Sequence, residues 1–126
     1  MSAQLIRMLG PLGGELLETV SAADHPMTVR EVLDKVNRRR AEPLAYTTVM
    51  TVLARLAEQD VLRRTLIGRG YVYVAAVADA ADLAVRSLIR EHGEAAVAHF
   101  VEHVSMEPKL RSRLEALVRS GDRATA

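Results

Sequence analysis

The sequence predicts a mainly α chain with one small β-hairpin. Three observations predict it. Two apolar stripes at helical spacing, Val29-Val32-Leu33-Val36 and Val49-Val52-Leu53-Leu56, are joined by a short link containing Pro43. The apolar period then changes from 3.6 to 2 between Val61 and Val74. After that the helical period returns and holds almost to the end.

The first helix is expected near Pro11–Ser21, where Leu12, Leu16, Leu17 and Val20 share a face. Gly10, Gly13 and Gly14 weaken its start, and Pro11 suits a first turn. Ala22 to Met27 reads as a turn, punctuated by Asp24 and Pro26. Thr28-Val29-Arg30-Glu31 is a capping box: the Thr hydroxyl accepts from an orphan amide while Glu31 reaches back, so a second helix starts there. Arg38-Arg39-Arg40 closes that helix, where cations suit the negative end of its dipole.

The third helix spans Leu44 to about Gln59. Its outer face carries Thr47, Thr51, Ala54 and Arg55, with Thr48 beside them. A solvated face usually carries Lys and Glu, and β-branched residues lose rotamer freedom in a helix, so helix stability does not account for these threonines. Short hydroxyls let a helix lie close to another surface, donate to phosphate oxygens and touch base edges or thymine methyls. The reading is a DNA recognition helix; an ordinary amphipathic helix with a Thr-rich outer face is the competing one. Two helices so closely linked, the second ready for contact, form a helix-turn-helix. Val61 to Thr65 and Tyr71 to Val74 then make a hairpin around Ile67-Gly68-Arg69-Gly70. With Arg63 and Arg64 on its flank and Arg69 near its tip, this hairpin reads as a wing.

In the last third, Asp79 or Asp82 opens a helix carrying Leu83, Leu88 and Ile89, broken at His92-Gly93. Val97, Phe100, Val101 and Val104 stripe the next helix. Pro108 restarts the chain, and Leu110, Leu114, Leu117 and Val118 stripe the last helix before a tail at Gly121 to Ala126. Three such helices bury too little on their own, so a second copy of the chain is expected to cover them. The expected organisation is a winged-helix DNA-binding domain over 1–76 and a helical dimerisation region over 77–126. The expected dimer interface is Leu83, Leu88, Ile89, Val97, Phe100, Val101, Val104, Leu110, Leu114 and Leu117.

The chain has 126 residues, 49% hydrophobic but only 3% aromatic, so its core must be aliphatic. The net charge of +1 conceals an uneven distribution. Residues 28–74 hold nine bases and five acids, a net of +4, while 1–27 and 75–126 are net acidic. A basic middle suits a polyanion partner. The absence of cysteine removes disulfides, thiolate metal sites and cysteine catalysis. No segment reads as a signal peptide or a membrane span, and a cytoplasmic protein is expected. His99 and His103 sit at i, i+4, but they lack the Glu of H-E-x-x-H and read as surface or interface histidines; no metal or cofactor is expected. No nucleophile constellation or phosphate-cradling loop is present, so the chain does not read as an enzyme.

Ala45-Tyr46-Thr47-Thr48-Val49-Met50, Thr28-Val29-Arg30-Glu31-Val32-Leu33 and the Gly68-Arg69 hairpin followed by Tyr71 and Tyr73 resemble the penicillinase-repressor family of the BlaI/MecI type. Leu9 to Val74 match closely, and the last third matches mainly at Val97 to Val101. The resemblance implies a dimeric winged-helix repressor on a dyad-symmetric operator. It also implies a membrane sensor-transducer that detects a β-lactam, after which the repressor is cut in its dimerisation region and leaves the operator. By carry-over Thr47, Thr48, Thr51 and Arg55 match the family's reading positions, and a regulatory cut falls at His99-Phe100, where the family's pair resembles Asn-Phe. Ser21 stands about where the family often has Trp, and Gly13 where a Glu commonly follows Leu12. The copper-responsive relatives carry a C-terminal C-x-C pair that this chain lacks.

The functional expectation is therefore a homodimeric repressor that occludes a promoter on palindromic double-stranded DNA. Thr47, Thr48, Thr51 and Arg55 would read the major groove, and Arg63, Arg64, Arg69 and Arg30 would supply phosphate or minor-groove contacts. The alternatives are a winged-helix regulator gated directly by a ligand and a winged-helix protein-interaction module.

Overall fold

The computed structural model describes residues 3–125. Among these the order is α1 (Ala3–Ala22), β1 (Met27–Thr28), α2 (Val29–Asn37), α3 (Tyr46–Glu58), β2 (Leu62–Ile67), β3 (Gly70–Ala75), α4 (Ala80–His92), α5 (Glu94–Ser105) and α6 (Pro108–Thr125). The fold is mainly α, with a small antiparallel sheet of strand order β1-β3-β2.

α1 is two helical segments meeting at Gly10, whose φ of 80° and ψ of 164° lie outside the helical region. A positive φ costs a side-chain-bearing residue energy that glycine is spared. Pro11 opens the second segment, where its missing N–H is not needed. A helical stretch thus precedes the expected start, and Leu5 anchors it by packing into the core.

The capping box of α2 forms: the Glu31 N–H donates to Thr28 Oγ1 at 3.1 Å, and the Thr28 N–H donates to Glu31 Oε1 at 3.2 Å. Where the sequence suggested a turn ending at Met27 and a helix cap at Thr28, these two residues also pair with Tyr73 and Val72 of β3. Two residues are too few to display an alternation, and Thr28 also serves as the N-cap. α3 ends in a Schellman motif: the Val61 N–H reaches the Leu56 carbonyl at 2.9 Å and the Asp60 N–H the Ala57 carbonyl at 3.1 Å. Asp60 takes the left-handed conformation at φ 60°, and Val61 and Leu56 are both fully buried. This cap turns the chain from α3 directly into the wing. At the wing's tip Ile67 pairs with Gly70, and of the two central residues only Gly68 has a positive φ, the II′ pattern.

The chain divides into two compact units, 1–86 and 87–126. The core of the first joins Leu16, Leu17 and Val20 of α1, the α2 and α3 stripes, Met27, Val61, Leu62 and Tyr73, an aromatic ring buried in a core expected to be aliphatic. The unit runs past the expected boundary after Ala76 because Val77, Ala80 and Leu83 complete this core. Leu83, expected at a dimer interface, is instead buried among its own unit's residues and is not available to a second chain. It lies in the first turns of α4, which Asp79 caps by accepting from the Asp82 N–H at 2.8 Å.

In the second unit α5 packs against α6. Val104 is buried and Leu114 half-buried, whereas Leu88, Ile89, Val97, Phe100, Val101, Leu110 and Leu117 are exposed. α6 continues through Thr125, beyond the expected tail at Gly121, since a glycine weakens a helix without removing a backbone donor. No helix among the described residues is long and apolar enough to cross a membrane.

Candidate nucleic-acid interface

α3 buries Val49, Val52, Leu53 and Leu56 and presents the opposite side to solvent. Thr47, Thr48, Thr51 and Arg55 are all exposed there, and Ala54 is half-buried. Two further exposed residues share this surface, Tyr46 and Met50. The sequence reading passed over them because apolar residues in an amphipathic helix are normally assigned to the core. Their position off the Val49-Leu53-Leu56 stripe was the available signal. The N-cap of α3 is Ala45, which offers no side-chain hydrogen bond. First-turn amides without a capping side chain are donors that a phosphate oxygen can satisfy.

Several contacts hold this face in place. Asn37 clamps the turn before α3: its Nδ2 donates to the Leu44 carbonyl at 3.2 Å and its Oδ1 accepts from the Leu44 N–H at 2.8 Å. Arg39 donates to Thr19 Oγ1 at 2.8 Å, and Arg40 pairs with Glu15 at 2.5 Å. The arginine run therefore ties α2 back to α1, and the Arg40 charge is paired with a carboxylate of the same unit. α1 also passes close to Arg55: a Cβ at Gly13 would lie 3.8 Å from Arg55 Nη2 and 3.2 Å from Leu9 Cβ. The tight contact is the one to Leu9, within α1 itself; the distance to the Arg55 guanidinium is ordinary van der Waals contact.

Arg30, on the exposed side of α2, stacks over the Tyr46 ring with its guanidinium carbon 5.2 Å from the centroid. This brings Arg30 to the N-terminal end of α3. Arg69 is exposed at the wing tip. Arg63 and Arg64 part company: neighbours on a strand point to opposite faces. Arg64 shares a face with its cross-strand partner Tyr73 and stacks 4.5 Å over Tyr71, while Arg63 lies on the other face opposite Val74. Leu66 and Ile67 are exposed beside the tip.

At the start of α2, His25 bridges two carboxylates, with Nδ1 2.8 Å from Asp24 and Nε2 2.6 Å from Glu31. Hydrogen bonds to Asp24 and Glu31 raise the His25 pKa, and the bond to His25 lowers those of both carboxylates. Glu31 thus serves the capping box and the imidazole together.

In the second unit His99 and Phe100 are exposed but lie inside α5. A protease takes its substrate extended, so a cut there requires local unwinding of α5. His92, His99 and His103 line one groove with Leu88, Ala96 and Phe100. No group of three or more metal-ligating side chains suited to holding an ion is found among the described residues.

The family model described as penicillinase repressor matches residues 9–120. Proteins called transcriptional regulator BlaI, from two strains of Mycobacterium tuberculosis, are 34% identical to this chain; the match covers 83% of it and 79% of theirs.

Proposed function

The chain belongs to the penicillinase repressor family, and from that premise we propose that it represses transcription as a homodimer seated on a dyad-symmetric operator. One observation carries the reading: α3 turns its hydroxyls and Arg55 outward, and its own unit covers none of Thr47, Thr48 or Thr51. The threonine hydroxyls donate to phosphate oxygens or base edges, and Arg55 offers the paired donors that suit guanine O6 and N7. Arg30 beside Tyr46 and Arg69 at the wing tip supply phosphate or minor-groove contacts, with Arg63 or Arg64 joining according to which wing face meets the duplex. The chain performs no chemistry on the DNA. Repression is occlusion of a promoter in the cytoplasm.

The exposed apolar residues of α5 and α6 support a second copy as the partner of the second unit. A sensor-transducer protease responding to a β-lactam would act at His99-Phe100 once α5 opens, and the weakened dimer would release the operator.

The test compares binding of a palindromic duplex with binding of its scrambled counterpart, while sedimentation follows the mass of the protein. Tight, salt-dependent preference for the palindrome by a dimer is the expected result. Equal affinity for both duplexes, or a monomer at all concentrations, would overturn the reading. Incubation with the transducer, followed by mass spectrometry, tests the cut.

A further inference from the structure

Tyr46 and Met50 stand one turn apart on α3, and each is 42% exposed. Single exposed apolar residues are ordinary on a protein surface. These two adjoin each other and Thr47 and Thr51, within the first two turns of the helix. That is the part of a recognition helix that meets base edges. At about 100° per residue, Thr47, Ala54 and Thr51 form the centre of the outward face. Tyr46 and Met50 form one edge of it, Thr48 and Arg55 the other. The edge with Met50 is also the one where Arg30 is held over the Tyr46 ring, a cation placed for the DNA backbone.

Met50 has little to offer a polar base edge. Its thioether has no donor and is a weak acceptor. Among the groups that base pairs display in the major groove, the thymine 5-methyl is the apolar one. A long, flexible and polarisable side chain is suited to cover it. We infer that Met50 is a specificity-determining residue that reads a thymine methyl in each half-site, beside the hydroxyl contacts of Thr47 and Thr51. This rests on the reading of α3 as a recognition helix.

The experiment uses the full chain and a duplex enriched by it from a randomised pool. Thymines of the half-site are replaced by uracil one position at a time, symmetrically in both halves, which deletes only the methyl. Affinities are measured for the wild type, Met50→Ala and Met50→Gln. Covering one methyl is worth about a fourfold change in affinity, hence about fifteenfold for two half-sites. At one thymine the wild type should lose about that factor on going to uracil, and both variants should show a thymine-to-uracil ratio near one. Met50→Gln keeps side-chain length and helix propensity, so it carries the comparison if Met50→Ala folds poorly. The inference is overturned if the variants keep the wild-type ratio at every thymine, if the wild type is indifferent to uracil throughout, or if the enriched half-site contains no thymine. Failure to enrich any duplex would instead remove the recognition-helix reading itself.

Discussion

Phe100→Ala is expected to weaken the dimer by roughly 100- to 10,000-fold. A phenylalanine side chain buries roughly 200 Å² when fully covered. Phe100 is 54% exposed in the single chain, which leaves about 110 Å² for a partner to cover. At about 25 cal/mol per Å², that is about 2.7 kcal/mol for each copy. A two-fold interface contains the residue twice, so the loss ranges from about 2.7 kcal/mol for half coverage to about 5.4 kcal/mol for full coverage. Sedimentation equilibrium across a concentration series reads the dissociation constant directly, and circular dichroism checks the helices. Leu83→Ala is the control. Leu83 is buried in the first unit, so its truncation should cost about 2–5 kcal/mol of fold stability and leave association of the folded chain unchanged. A Phe100→Ala protein that stays helical and dimerises within threefold of the wild type would refute the assignment of α5 to the interface.

Arg55→Ala should cost about 1–3 kcal/mol of operator binding and change the preferred base at one position of each half-site, as read by competition with single-base operator variants. Arg69→Ala should weaken binding to all duplexes alike and flatten the slope of log affinity against log salt by about one unit per contact; an unchanged slope means no ionic contact at the wing tip. Asn37→Ala removes both bonds to Leu44 and should cost about 1–3 kcal/mol of stability, a loss that denaturant midpoints resolve. The His25 bridge gives a pH dependence with opposite limits. The raised His25 pKa means its contribution is complete below the ordinary 6.5 and is lost as pH rises through the raised value. The lowered Glu31 pKa means its contribution holds above the ordinary 4.5 and is lost as pH falls through the lowered value. Melting temperature should therefore rise from pH 8 to pH 6, and His25→Ala should flatten that rise; an identical slope would remove the bridge from the account.

Much of the first unit was legible because its signals are local. A capping box needs three residues of separation, and a hairpin needs only its turn chemistry and an alternating run. What escaped required knowledge of neighbours in space. β1 is two residues whose identity as a strand exists only through β3. Leu83 carries the same periodic signal as Leu88 and Ile89, yet it faces its own core, because periodicity says which face is apolar and not what covers it. Arg63 and Arg64 read as one basic pair until a strand separates them onto two faces. Tyr46 and Met50 fall outside the buried stripe of α3, but only the fold shows that no other element covers them.

The two apolar patterns also bear on how such a protein can be regulated. In the first unit the α3 stripe is buried by the chain itself. In the second unit Val97, Phe100 and Val101, spaced like that stripe, remain about half exposed. On the proposed reading, the head that contacts DNA folds without the partner, and only the coupling between heads depends on it. Suppose one head binds its half-site with a dissociation constant of about 10 μM and meets it at an effective concentration of about 1 mM. The dimer then gains about a hundredfold over one head. An event that opens α5 would remove that factor while leaving Thr47, Thr51 and Arg55 untouched. The released head would be folded and would still recognise its sequence, but too weakly to stay. A cut protein should therefore retain the half-site preference of the intact one at reduced affinity. Loss of base preference after the cut would mean instead that the second unit shapes the reading head, and the division of labour argued from exposure would fail.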